Sequence, residues 1–149
     1  MTSNEPVFDS PVGWVKSHIQ DYVARDGKKG HKWRGLPTLL LTTRGRKSGK
    51  LYRTALIYGR DGDNFLLIPS NGGARKHPSW YLNLIENPDV ELQVGSEKIV
   101  GRARLATLEE KPRLWQIMAT IFPTYNTYQT KAAKAGRELP VVIVESAKK

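Results

Sequence analysis

The brevity of the links between strand-like runs constrains this chain more than any other feature. Residues 38–43 and 54–60 are apolar runs with strand character, and 64–70 is a third. Asp61-Gly62, between the second and third, is a strong hairpin signal because both residues tolerate positive φ. Val90, Leu92 and Val94 alternate with Glu91 and Gln93, so one face of that strand is wet. Gly95-Ser96 turns it towards a partner over 98–106, with Ile99, Ala103 and Leu105 on one side, and 140–144 reads as a last buried strand. Parallel neighbours need a long crossover, usually a helix. These hairpin links are too short for one. The expected fold is therefore α+β, with about six mostly antiparallel strands in a small barrel or curled sheet and helices at its periphery.

The helices follow from spacing and caps. Val12, Val15, Ile19, Tyr22 and Val23 recur at helical intervals over 11–26, with Ser10 as N-cap and Pro11 at the first helical position. Trp14 and His18 edge that face. In 78–86, Trp80 and Leu84, and Tyr81 and Ile85, are spaced i, i+4, and Pro88 ends the segment. "TLEE" at 107–110 is a capping box, although Pro112 calls for a later start or a distorted first turn. That helix runs through Leu114, Trp115, Ile117, Met118 and Ile121 to a break at Pro123. Thr124 caps another, which Gly136 stops. The expected organisation is an N-terminal helix and arm over 1–30, a candidate for mobility, and one domain over 31–149.

The absence of cysteine removes disulfides, thiolate nucleophiles and cysteine metal sites together. No apolar run approaches the roughly 20 residues of a membrane-spanning helix. The N-terminus lacks a basic start followed by an apolar stretch, so a cytoplasmic location is the default expectation. The net charge is +10, which attracts anions. Residues 1–60 carry 12 of the 24 Lys+Arg and only 4 of the 14 acids, so the first part of the chain builds the positive side.

Three stretches carry candidate chemistry. In "TTRGRKSGKLYRT" (42–54), five of thirteen residues are Lys or Arg and two are Gly. Arg46, Lys47 and Arg53, with Ser48 nearby, could converge with turn N–H groups as an anion seat. The alternative is a solvated hairpin tip. P-loop spacing is absent. In "PSNGGARKHPSWY", Ser70, Asn71, Gly72 and Gly73 let a ligand approach the backbone, while Arg75, Lys76, His77 and a helix start at Pro78 add positive potential; a plain loop is the alternative. In "IFPTYNTYQ", Phe122, Tyr125 and Tyr128 fall on one side of a turn into a helix. They form either core or an aromatic wall offering a phenol donor. His18, His31 and His77 lack a metal spacing, Asp61 and Asp63 suit a turn, and no Ser/His/Asp set is visible. An enzyme of this composition would rely on a bound cofactor for the hard chemistry.

"LLLTTRGRKSGKLYRTAL", "LLIPSNGGARKHPSWYLNLIENPDVELQV", "FPTYNTYQ" and "LPVVIVE" together resemble the deazaflavin (coenzyme F420)-dependent nitroreductase family. The resemblance spans about residues 39–145 and implies a split β-barrel related to flavin-binding oxidases. It implies hydride transfer from reduced F420 to a quinone, nitroaromatic or activated alkene. F420 carries a phosphodiester and a polyglutamate tail, which would explain the basic turn. By this resemblance Arg46, Lys47 and Arg53 lie on the phosphate and tail side, and Thr54 is a further cofactor-binding residue. Ser70, Asn71, Gly72, Gly73, Lys76, Pro78 and Trp80 shape the deazaflavin pocket. Tyr125 matches a tyrosine acting as proton donor or substrate orienter, and Trp14, Phe122 and Tyr128 join it in a substrate pocket. Phe122 stands where the best-known member has a tyrosine, and Asn71 where it has a basic residue. No metal is expected.

Rival readings are a non-catalytic F420 carrier, an FMN enzyme of the same fold, and a nucleic-acid-binding domain using the basic turn with Trp33 and Tyr52. FMN ranks behind F420. Nucleic acid ranks lower still, because it gives the Tyr-rich segment no role. A small-molecule electron acceptor is the expected partner. Lys28, Lys29 and Lys32 flank the N-terminal helix and could rest it on an anionic membrane, that is, peripherally on the inner face of the plasma membrane; packing on the barrel is the alternative. The oligomeric state stays open, because either a partner or the chain's own helix can cover a barrel edge.

Overall fold

The computed structural model describes residues 5–10, 13–24, 32–33 and 35–146. Pro11, Val12, Lys28, Lys29 and His31, and the side chains of Trp14, Lys32 and Trp33, lie outside the described residues. The elements are β1 (Val7–Asp9), α1 (Gly13–Ala24), β2 (Lys32–Trp33), β3 (Leu36–Arg44), β4 (Leu51–Ile57), β5 (Gly59–Asp61), β6 (Asn64–Leu67), α2 (Ser79–Glu86), β7 (Asp89–Val94), β8 (Glu97–Leu105), α3 (Lys111–Ile121), α4 (Thr124–Lys134) and β9 (Val142–Ser146). A short 3-10 turn, Asn71–Gly73, precedes α2.

Along the sheet the strand order is β1-β4-β3-β7-β8-β9-β6-β5, with β2 paired to β3. Every described pairing is antiparallel except β1 on β4. Only Tyr58 separates β4 from β5, although the two lie near opposite ends of the strand order. The sheet therefore curls back on itself without closing into a hydrogen-bonded ring. This is the expected mostly antiparallel curled sheet with peripheral helices.

Alternation along the strands sorts their side chains into layers. Leu39 and Leu41 of β3 meet Phe65, Leu67, Val90, Leu92, Val142 and Val144 inside the curl. Leu40 points the other way, under Val15, Ile19 and Tyr22 of α1. Leu66, Ile68, Val141 and Ile143 face outward under Leu114, Met118, Tyr125 and Ala132 of α3 and α4. Strands buried on both faces read as continuous apolar runs rather than alternating ones.

Local signals mostly act as read. Thr107 N donates to Glu110 Oε1 at 2.9 Å and Glu110 N to Thr107 Oγ1 at 3.1 Å, completing the capping box. Arg104 grips the same carboxyl and, with Thr107 N–H, holds its pKa down to about 2. Regular helix starts only at Lys111, so Pro112 falls in the first turn, where a missing N–H is tolerated. After α4, Gly136 N donates to Ala133 O and Arg137 N to Ala132 O, the paired bonds of a glycine stop.

Four details differ from expectation. Thr124 is the first residue of α4, not its cap; Pro123 holds the cap position without a side-chain bond. The 54–60 run is two strands, because the chain bends at Tyr58. Leu105 is 41% exposed, because β8 is ending there; Gly101 joins Ile99 and Ala103 on the inward face instead. Val23 is exposed, one residue past the face that buries Tyr22. Strand β1 was not anticipated. Three residues give too little pattern, and its parallel pairing with β4 is a long-range contact.

Two contacts yield stability predictions. Buried Tyr22 lies 3.2 Å from both Thr38 O and Gln93 O, and accepts from Gly95 N at 2.6 Å, tying α1 to β3 and the β7–β8 turn. Tyr22→Phe strands these backbone groups and should cost about 1–3 kcal/mol in chemical denaturation. Gly73 has φ +77°, and a Cβ there would meet Tyr128 O at 2.6 Å; Gly72 has φ +63° and open space. Gly73→Ala should therefore destabilise by about 2–4 kcal/mol and Gly72→Ala by about 1 kcal/mol, measured by the same method.

Candidate functional site

A cleft of about 1020 Å³ runs between the basic turn, the 70–80 segment and the start of α4. It is at the upper end of the range for small-molecule sites. One wall is cationic. The β3–β4 turn closes through Gly45 N to Lys50 O at 2.7 Å and Gly49 N to Gly45 O at 3.0 Å. Gly45 fits there because a Cβ would lie 2.6 Å from the Tyr52 ring. Arg46 is half-buried: its backbone N and Nη1 both donate to Asn83 Oδ1, at 3.2 and 2.8 Å. Asn83, only 4% exposed on α2, donates in turn to Thr43 Oγ1 at 3.3 Å. Lys47 and Lys76 are exposed on the same cleft and make no ion pair among the described residues.

Arg53 differs from them. Its Nε and Nη2 donate to Asp9 Oδ1 and Oδ2 at 2.6 and 3.1 Å. Among the described residues lining the cleft Asp9 is the only carboxylate, and it offsets the Arg53 charge. A neighbouring pair, Arg44 with Glu5, likewise fastens the N-terminal segment beside the turn.

The second wall is the glycine segment. Ser70, Asn71, Gly72, Lys76, Pro78 and Trp80 line the cleft, and Thr54 faces it from β4. Gly73 does not line it; it packs against the α4 backbone at Tyr128. The Asn71 side chain donates to Lys76 O at 2.9 Å, so Asn71 pins its own loop.

The third wall is aromatic. Phe122 packs edge-on to Tyr125, centroids 5.0 Å apart at 87°, and Tyr128 closes the triangle at 6.2 and 6.5 Å. All three line the cleft. Tyr125 is 4% exposed, and burial pushes its phenol pKa well above the ordinary value. No buried side-chain polar atom among the described residues lacks a partner, and the Tyr125 hydroxyl makes no hydrogen bond among them. That hydroxyl is therefore not fully sealed, and its residue lines the cleft.

Of the residues singled out in the sequence, the fold thus gathers Arg46, Lys47, Arg53, Thr54, Ser70, Asn71, Gly72, Lys76, Pro78, Trp80, Phe122, Tyr125 and Tyr128 around one cavity. Asp9 and Asn83 were missed. Asn83 carried a signal: an amide between Trp80 and Leu84 on the apolar side of a short helix. Asp9 carried none, because its role depends on the parallel β1–β4 pair. No cluster of His, Asp and Glu that could hold a metal occurs among the described residues.

Comparison with known proteins agrees with this geometry. Residues 14–146 match the family model described as F420H(2)-dependent quinone reductase. The F420H(2)-dependent quinone reductase Rv1261c of Mycobacterium tuberculosis is 36% identical over 136 residues, which is 89% of this chain and 90% of that protein. A solved F420-H2 dependent reductase (FDR-A) superposes with a TM-score of 0.66 at 38% identity, covering 73% of this chain and 94% of its own. Another solved chain, described as a domain-swapped dimer, gives 0.68 at 34% identity, covering 91% of this chain and 100% of its own. The curled open sheet is thus a split β-barrel, and the chain belongs to the F420H(2)-dependent quinone reductase family.

Proposed function

We propose that this protein is an F420H2-dependent oxidoreductase that reduces quinones, and by the same chemistry nitroaromatics or activated alkenes, in the cleft between the basic turn and the aromatic wall. The observation that carries the reading is the continuity of a cationic wall, a glycine-opened wall and an aromatic wall around one cavity large enough for two flat molecules. That donor set fits F420, which is polyanionic at one end and planar at the other. Arg46, Lys47 and Lys76 would hold the anionic part. Ser70, Gly72, Pro78 and Trp80 would border the ring, with Gly72 presenting bare backbone and no Cβ. When bound in its reduced form, F420 supplies a hydride.

The chain's own part is to orient, to exclude water and to manage a proton. Asn83 Oδ1 accepts from both the backbone N–H and the Nη1 of Arg46, so its guanidinium is preorganised. Phe122 and Tyr128 hold the Tyr125 ring. Burial keeps the Tyr125 Oη protonated at neutral pH, so it acts as a hydrogen-bond donor to an acceptor oxygen gaining charge. With so high a pKa, Tyr125 orients and polarises the acceptor while solvent makes good the net proton. The basic flank of the N-terminal helix would let the protein rest on an anionic membrane while taking up an apolar quinone.

Titration of the purified protein with oxidised F420, followed by cofactor fluorescence, tests this reading. Micromolar or tighter affinity is expected, with FMN binding far more weakly; no F420 binding would refute it. Arg46→Ala/Lys47→Ala should weaken F420 by about tenfold or more, since charge-assisted hydrogen bonds contribute about 1.5–3 kcal/mol each. Asp9→Asn frees Arg53 for anions, so F420 should bind about two- to fivefold tighter, with a steeper salt dependence. Tyr125→Phe should lower kcat with menadione by about tenfold or more while leaving the F420 Kd within about twofold.

A further inference from the structure

Beyond the basic turn and the aromatic wall, one cationic side chain is buried beside the cleft without a carboxylate. Arg137, just past the glycine stop of α4, is 6% exposed and makes no ion pair among the described residues. Its Nε donates to Ala74 O at 2.9 Å, Nη1 to Pro69 O at 3.0 Å and Nη2 to Ser70 O at 2.6 Å. One side chain thus clamps three carbonyls of the segment that forms the glycine wall. Buried cations are normally paired; here backbone dipoles take that role and the charge stays uncancelled.

The remaining contact is Arg137 Nη1 to His77 Nδ1 at 3.3 Å. A guanidinium has five N–H donors and no acceptor. His77 Nδ1 is therefore the acceptor and carries no proton, so the neutral ring holds its proton on Nε2. Burial and the Arg137 charge keep the His77 pKa below the ordinary value, in keeping with a neutral ring. Tyr81 packs against the imidazole, centroids 4.8 Å apart at 33°. His77 lines the cleft between Lys76 and Pro78, and Nε2 makes no hydrogen bond among the described residues.

We propose that His77 is a ligand-binding residue of this cleft, offering an Nε2–H donor to an oxygen acceptor of the anionic cofactor, and that Arg137 is the positioning residue that fixes this tautomer. The proposal rests on the F420 reading of the cleft. It assigns to His77 a selective hydrogen bond rather than the positive charge its basic neighbours supply.

Two-bond 1H–15N NMR of the full-length protein near neutral pH reads the tautomer, and F420 fluorescence titration reads the donor. The wild type should show the Nε2–H pattern. Arg137→Gln, which offers an acceptor as well as a donor, should turn it into a mixture of both tautomers; an unchanged pattern removes Arg137 from the positioning role. His77→Asn keeps an acceptor near Nδ1 but ends short of Nε2, and F420 should bind about three- to tenfold more weakly. His77→Gln reaches the Nε2 position with an N–H and should bind within about twofold of wild type. An Nδ1–H pattern, or His77→Asn and His77→Gln binding F420 alike, overturns the proposal while wild-type binding leaves the cofactor reading standing. A wild type that binds no F420 overturns both.

Discussion

Strand β3 has no wet face, and the molecule is organised around that fact. Its two edges pair with β4 and β7, its inward leucines fill the curl, and Leu40 is covered by α1. Each of those leucines stabilises the fold by about 2 kcal/mol on burial. The strand is enclosed on four sides, by backbone pairing along both edges and apolar packing on both faces. The turn that follows it is therefore fixed in space, and with it the cationic wall.

From β3 the order passes to the site through a few polar contacts. Thr43, near the end of the strand, meets Asn83, and Asn83 holds Arg46. On the opposite side Arg137 clamps the glycine segment, while Gly73 lets that segment sit directly on the α4 backbone that carries Tyr128. The three walls thus have separate supports on rigid elements. The cleft is built by the scaffold rather than by flexible loops, as suits a protein that must hold two planar molecules in register.

The distribution of charge refines the picture given by the net value. Arg44 and Arg53 are engaged by Glu5 and Asp9, which leaves Arg46, Lys47 and Lys76 as the cleft-lining cations without an ion pair among the described residues. At the cleft edge Asp9 already occupies both Nε and Nη2 of Arg53.

The sequence by itself determined the main strands and helices, their hairpin order and the three chemical stretches. Apolar period, turn residues and caps act over a few neighbours and can be read along the chain. It also determined, by resemblance, the family and hence the cofactor. Tertiary structure alone decided which charges are free, because Asp9 reaches Arg53 only through the parallel β1–β4 pair. It also decided that Gly73 serves packing while Gly72 stays open, although the two glycines are adjacent and alike in sequence. And it brought Arg137 to His77 across sixty residues. Hydrogen bonds between distant segments have no periodicity, and only the folded chain fixes which donors and acceptors meet.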